Sequence, residues 1–125
     1  MIERILSAEA PKPVGPYSQG VKAGHFVFVS SQLGVDPVTG KLPAGVEAQA
    51  ARAIDNVGSI LREGGASWDD VLKVTLYLSD ISDFKIVNKV YASKLGDAAP
   101  ARSTLGVASL PKGGLVALDA VAWLA

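Results

Sequence analysis

The chain has 125 residues, enough for one domain with a hydrophobic core, and we expect a single domain over residues 1–125. Its 12 basic and 12 acidic side chains balance to a net charge of zero, so the composition carries no electrostatic footprint for nucleic acid or an acidic membrane. The absence of cysteine excludes disulfides and thiolate chemistry, and the single histidine, His25, excludes a histidine metal cluster within one chain.

The first half of the chain predicts two strands, a tight turn and a helix. Residues 20–30 indicate two strands around a turn at Ala23-Gly24, and the second strand has aromatic side chains at alternate positions. The segment 36–41 (DPVTGK) has the composition of a tight reversal. From 46 to 62 apolar residues recur at helical spacing, and Gly64-Gly65 is predicted to end that helix.

The second half predicts a strand, a helix and two further strands. Residues 71–78 (VLKVTLYL) form the strand, and Asp83 is predicted to cap the helix that follows. Two strands, 102–110 and 115–124, are joined through 111–114 (PKGG). This order predicts an α+β fold, with two helices packed on one face of a mixed sheet of about six strands.

Two helices can cover only one face of such a sheet. The strands are nevertheless apolar on both faces, as in 27–29 (VFV) and 115–118 (LVAL), whereas a face in contact with water should carry alternating polar residues. An apolar surface of that size is unusual on a soluble monomer. We therefore expect a homo-oligomer, in which ligand clefts form at the interfaces between copies.

Arg102 is the candidate binding residue that the composition isolates. Between residues 98 and 125 the only charged side chains are Arg102, Lys112 and Asp119. A guanidinium keeps its proton, and its planar fork of donors suits a carboxylate bound through two parallel hydrogen bonds. Three interpretations stay open: a strand residue that reaches solvent, a partner of Asp119, or a residue that binds a ligand carboxylate.

Four segments, in this order, resemble the RidA (YjgF) family of imine deaminases: 15–20 (GPYSQG), 29–34 (VSSQLG), 83–88 (DFKIVN) and 100–104 (PARST). The similarity extends from residue 10 to residue 122 and is most specific in PARS and the later LPKG. The resemblance implies a chorismate-mutase-like fold, with three copies around a central barrel and a ligand cleft at each subunit boundary. It also implies hydrolysis of small 2-imino acids to 2-oxo acids and ammonia.

The resemblance assigns roles to five residues of this chain. Arg102 would be the catalytic clamp on the substrate carboxylate, Tyr17 would line the pocket, and Ser30 and Asn88 would be polar pocket positions. Thr104 would offer backbone groups to the ligand. Taken without the resemblance, Tyr17 also fits a core aromatic, and Asn88 fits a solvated or capping residue.

The chain departs from the family pattern at two positions. The family carries, on the last strand, a glutamate that is thought to position the attacking water, and here that position is Ala117. Asp119 matches the family's second acidic position and should share the face of Ala117, about 6.6 Å further along the strand. Asp119 is therefore a possible acid or base only through an intervening water or a shifted substrate. Ser31 stands where the family usually has glycine, which would narrow the approach of the backbone to a ligand.

The leading hypothesis is an imine or enamine deaminase, a hydrolase acting on C=N. We expect its activity to be weak or shifted in substrate, because the glutamate position is Ala117 and general base assistance is typically worth about 10² to 10⁴ in rate. The alternative is a non-catalytic binder of small carboxylate metabolites. An endoribonuclease or translation inhibitor, a label that some relatives carry, is disfavoured by the zero net charge and the single histidine. We expect a homotrimer in the cytoplasm, with no cofactor, metal, membrane or nucleic acid partner.

Overall fold

The computed structural model describes residues 1–125 as a six-stranded sheet with two α-helices. The strands are β1 Ile2–Ile5, β2 Gly20–Ala23, β3 Phe26–Leu33, β4 Val71–Leu78, β5 Ala101–Gly106 and β6 Val116–Trp123. The helices are α1 Val46–Glu63 and α2 Phe84–Leu95. Neither helix combines the length and apolar character that a membrane span requires.

The sheet order is β1-β2-β3-β6-β4-β5, so β1 and β5 are its edges. All neighbouring strands are antiparallel except β4 and β5, which are parallel because α2 connects them as a crossover. Both helices lie on the same face of the sheet and enclose one core. Its fully buried members alternate along the strands and recur at helical spacing along α1; they include Val27, Ile54, Val57, Ile60, Val74, Leu76, Val87 and Leu118.

The predicted α+β fold, with a mixed six-stranded sheet and two helices on one face, is confirmed. The strand predicted over 102–110 is shorter than expected and ends at Gly106. Its only neighbour is β4, and Gly106 pairs with Leu78, the last residue of β4; beyond this pair the backbone N–H of Val107 makes one last hydrogen bond to β4, to the carbonyl of Leu78 at 2.8 Å. The edge strand β1 has no counterpart in the sequence prediction.

The predicted capping role of Asp83 is wrong. Asp83 occupies the position before α2, but its side chain makes no capping hydrogen bond. The carboxylate that caps the backbone in this segment belongs to Asp80. Its Oδ1 accepts a hydrogen bond of 3.0 Å from the backbone N–H of Ser82. The cap therefore belongs to the short 3₁₀ turn that precedes the helix.

The sheet face without helices carries the predicted apolar surface along β3 and the end of β6, where it is exposed within one chain, whereas its β4 part is polar at Lys73 and Thr75. Phe26 and Phe28 on β3 keep 42% and 47% of their surface exposed, and the neighbouring Trp123 on β6 keeps 44%. Phe26 pairs with Trp123 across the two strands, so these aromatics form one continuous surface. Helix burial cannot account for aromatic residues at these positions, because both helices lie on the opposite face.

Candidate functional site

A cleft of about 800 Å³ opens on the sheet face that the helices leave uncovered. Its floor is formed by β3, β4 and β6, and its rim by the loop before β2, the loop after β3 and the turn before β6. The lining includes four side chains that the later argument uses: Tyr17, Ser31, Tyr77 and Ala117. Ala117 thus faces the cleft, as its predicted role requires.

The loop that carries Tyr17 is fastened by a buried glutamine. Gln19 is 1% exposed, and its side-chain carbonyl accepts a hydrogen bond of 2.6 Å from the backbone N–H of Ser7. The hydroxyl of Ser30 donates to the carbonyl of Ser18 at 2.7 Å. Tyr17 itself is 48% exposed, which contradicts the interpretation of this ring as a core aromatic. The hydroxyl proton of Ser30 is engaged in holding the loop.

Asp119 lies beside the cleft and accepts two side-chain hydrogen bonds on one oxygen. The hydroxyl of Tyr77 donates to Oδ2 at 2.8 Å, and the hydroxyl of Ser31 donates to the same atom at 3.1 Å. Oδ1 accepts no hydrogen bond from the chain. The hydrogen bond to Asp119, with burial and the nearby negative charge, raises the pKa of Tyr77, so this phenol remains a donor at neutral pH.

Arg102 lies on β5 and is held by three side chains from one face of α2. Its Nη2 donates to Oδ1 of Asn88 at 2.7 Å. Its Cζ lies 4.7 Å from the ring centroid of Tyr91 and 5.7 Å from that of Phe84, within the range of cation–π contacts. None of the three ion pairs in the chain involves Arg102, so the guanidinium is oriented without being neutralised.

The interpretation of Arg102 as a partner of Asp119 is wrong, because the two side chains lie on opposite faces of the sheet. Arg102 is in register with Val74, which is buried under the helices, and Thr104 is in register with Leu76 on the same side. Asp119 pairs with Thr75, whose side chain points the other way.

The structure therefore divides the predicted site residues into two clusters. The first cluster, at the helix side of the edge strand β5, consists of Arg102, Asn88 and Thr104. The second cluster, on or beside the cleft of the opposite face, consists of Tyr17, Ser30, Ser31, Ala117 and Asp119. Within one chain these two halves do not meet.

Two residues that matter to the cleft, Tyr77 and Gln19, were not identified from the sequence. Tyr77 follows the polar residues Lys73 and Thr75 at alternate positions of β4, a pattern that places all three on the face opposite the core. That alternation was the available signal for Tyr77. Gln19 offered none, because a buried glutamine is recognised only by the backbone groups around it. No group of three or more His, Cys, Asp or Glu side chains that could hold a metal ion occurs in the structure.

Comparison with known proteins gives full-length similarity. A family model described as endoribonuclease L-PSP matches residues 7–124. A RutC family protein of Pyrococcus abyssi is 46% identical over 122 residues, which cover 97% of this chain and 96% of the relative. A 2-iminobutanoate/2-iminopropanoate deaminase of Capra hircus is 44% identical over 124 residues, covering 98% and 90%. The crystal structure of E. coli TdcF with bound serine has a TM-score of 0.96 and 37% identity, covering 98% and 99%.

Proposed function

Since the chain belongs to the endoribonuclease L-PSP (YjgF/RidA) family, as its motifs predicted, we propose that it hydrolyses small 2-imino acids to 2-oxo acids and ammonia. Relatives named 2-iminobutanoate/2-iminopropanoate deaminase, at 44% identity over nearly the full chain, support this reaction. Because the family's glutamate position is Ala117, we expect a lower rate or a shifted substrate range.

The observation that carries the proposal is the state of Arg102. Its guanidinium is held by Asn88 and by the rings of Tyr91 and Phe84, yet no carboxylate of the chain neutralises it. An oriented guanidinium without a counter-ion suits the carboxylate that every 2-imino acid carries. Arg102 is therefore the proposed substrate clamp, and Asn88 sets the angle at which its remaining donors are presented.

The proposed site needs a second copy of the chain. Arg102 lies on the helix side of the edge strand β5, whereas the cleft with Tyr17 and Asp119 opens on the opposite face. We propose a homotrimer in which the β5 edge of one copy closes the cleft of the next. The same packing would cover the exposed Phe28 and Trp123. Thr104 then offers backbone groups, since β5 has no further strand on its outer side.

The proposed chemistry uses the electrophilic character of a protonated imine. Arg102 binds the carboxylate and holds the imine carbon near the cleft floor, which contributes by orientation. Asp119 is the proposed acid/base group. It would act through a water molecule, since the Ala117 position places no carboxylate nearer the substrate.

Ammonia release tests the activity. The 2-imino acid is generated in solution by an amino acid oxidase acting on alanine, and ammonia or pyruvate formation is compared with buffer. We expect acceleration by the wild-type protein and its loss in Arg102→Ala. If the wild-type protein binds 2-oxobutanoate but does not accelerate hydrolysis, the deaminase function is rejected in favour of the alternative, a binder of small carboxylates. The observation that favours this alternative is the lack of a carboxylate at the family's glutamate position, which is Ala117 here.

Mixing two inactive variants tests the shared site. Arg102→Ala and Asp119→Asn each remove one half of every cleft, so each homotrimer should be inactive. Unfolding and reassembling them together creates clefts with both halves intact, about a quarter of all sites for random mixing around a ring. Activity that stays absent in the mixture, with both variants folded and trimeric, would show that one copy supplies both halves.

The endoribonuclease in the family's description has less support from this chain. Its net charge is zero, and its one histidine, His25, hydrogen bonds through Nδ1 to the carbonyl of Leu124 at 2.8 Å. The cleft lining contains two basic side chains, Lys12 and Lys112, but no histidine that could do acid–base work on a ribose.

A further inference from the structure

Hydrogen bonds from both neighbouring strands hold the side chain of Asp119, and the function proposed above assigns no role to these hydrogen bonds. Ser31 reaches it from β3 and Tyr77 reaches it from β4, while Asp119 lies on β6 between them. Both hydroxyls bind the same atom, Oδ2, at 3.1 and 2.8 Å. We call these three residues the Asp119 clamp, to distinguish them from Arg102, the proposed substrate clamp.

The backbone explains how the Asp119 clamp forms. The register between β3 and β6 shifts between Val29 and Gln32, which is a β-bulge. The bulge lies opposite Asp119 and turns Ser31 toward its carboxylate, as bulges commonly re-aim a side chain. On the other side, Tyr77 pairs with Ala117, so Asp119 is its diagonal neighbour, within reach of a long aromatic side chain.

We propose that Tyr77 and Ser31 are positioning residues that orient Asp119 so that its free oxygen, Oδ1, holds the attacking water. This inference rests on the deaminase function proposed above. With Oδ2 bound by two donors from opposite sides, rotation of the carboxylate is restricted and Oδ1 is left with its acceptor capacity unused. Held in this orientation, Asp119 would bind the attacking water in place of the family's glutamate, which is Ala117 here, although from a more distant position.

The proton and electron steps balance. The water oxygen bonds to the carbon of the protonated imine, the C=N pair moves to nitrogen, and Oδ1 accepts one water proton. Asp119 then returns a proton to the amine nitrogen. As the C–N bond breaks, the hydroxyl of the tetrahedral intermediate becomes the carbonyl and gives its proton to Asp119, which passes it to the departing ammonia. A 2-oxo acid and ammonium leave, and Asp119 is unchanged. Tyr77 and Ser31 stay protonated throughout and do not touch the substrate; the raised pKa of Tyr77 fits this role.

Tyr77→Phe and Ser31→Ala test the Asp119 clamp in the complete protein with 2-iminopropanoate. We expect each to lower kcat by about tenfold, the double variant to lose more, and KM to stay constant, because the binding of the carboxylate by Arg102 is untouched. Ser31→Thr keeps a hydroxyl and should retain most of the activity that Ser31→Ala loses. Ser93→Ala is the matched control, since Ser93 lies exposed on α2 and bonds only the carbonyl of Val90.

The outcomes separate this inference from the deaminase function. A wild-type protein without turnover would remove the function itself. Wild-type turnover together with a kcat of Tyr77→Phe and Ser31→Ala within about twofold of wild type would overturn the Asp119 clamp alone. A raised KM at constant kcat would also overturn it, because it would make Tyr77 a substrate-binding group. If Tyr77→Phe fails to fold, the comparison of Ser31→Ala with Ser31→Thr decides.

Discussion

Moving the carboxylate from position 119 to position 117 should recover activity that a neutral residue 119 has lost. The test is a double variant that carries Ala117→Glu together with Asp119→Asn. Ala117 is 3% exposed and lines the cleft between the register partners Leu33 and Tyr77, so a longer side chain there extends into the cavity of about 800 Å³. Asp119→Asn alone should lose about 10² to 10⁴ in kcat, the usual range for general base assistance.

The neutral background matters because of charge repulsion. Two residues apart on one strand, the side chains at 117 and 119 start about 6.6 Å from each other. Two carboxylates at that separation repel by about 0.6 kcal/mol in water and about 2.5 kcal/mol at an effective dielectric constant of about 20. Ala117→Glu in the wild-type chain therefore raises the pKa of one of the two carboxyl groups and destabilises the fold by a similar amount, which offsets part of the catalytic gain.

The assay compares ammonia release, KM and melting temperature for Asp119→Asn with and without Ala117→Glu. We expect Ala117→Glu to restore at least about tenfold in kcat, and Ala117→Gln, the uncharged match, to restore nothing. A double variant that is folded and trimeric, but no faster than Asp119→Asn, would refute the reasoning that a carboxylate on this wall activates water. Loss of several kcal/mol of stability would instead mean that the new carboxylate is buried without a partner.

Three further predictions concern the substrate clamp, the assembly and the tyrosines. Asn88→Asp should place a carboxylate against Arg102, where the amide oxygen now lies at 2.7 Å, and weaken 2-oxobutanoate binding at least about tenfold in calorimetry; unchanged affinity would remove Arg102 as the clamp. Phe28→Asp should convert the proposed trimer to smaller species in analytical ultracentrifugation, because it charges the exposed apolar face; a trimer that persists in the variant would place the interface elsewhere. Two of the three tyrosines should ionise above their ordinary pKa of 10.0, Tyr77 because it bonds Asp119 and Tyr91 because it is buried. Tyrosinate absorbance should report both, and Tyr77→Phe should remove one; the stability that each neutral phenol contributes is present below about pH 10 and lost as the pH rises through the raised pKa.

Local chemistry made most of the fold predictable from the sequence. The apolar spacing from 46 to 62 and the paired glycines after it located α1, and the run 71–78 located β4 to the residue. The apolar character of both strand faces indicated a surface that needs a partner, which Phe28 and Trp123 display. The isolation of Arg102 in a stretch with two other charges marked it as a residue that requires an acceptor.

Tertiary structure decided how the candidate residues are distributed. Strand alternation tells which residues of one strand share a face, but the face that receives the helices depends on packing across all six strands. For that reason the sequence could not separate Arg102 from Asp119, which the sheet places on opposite sides. The bulge at Ser31 and the diagonal reach of Tyr77 depend on register between strands distant in sequence, so the grip on Asp119 exists only in the folded sheet. The sequence determined the elements and their chemistry; contacts between distant strands decided which groups meet.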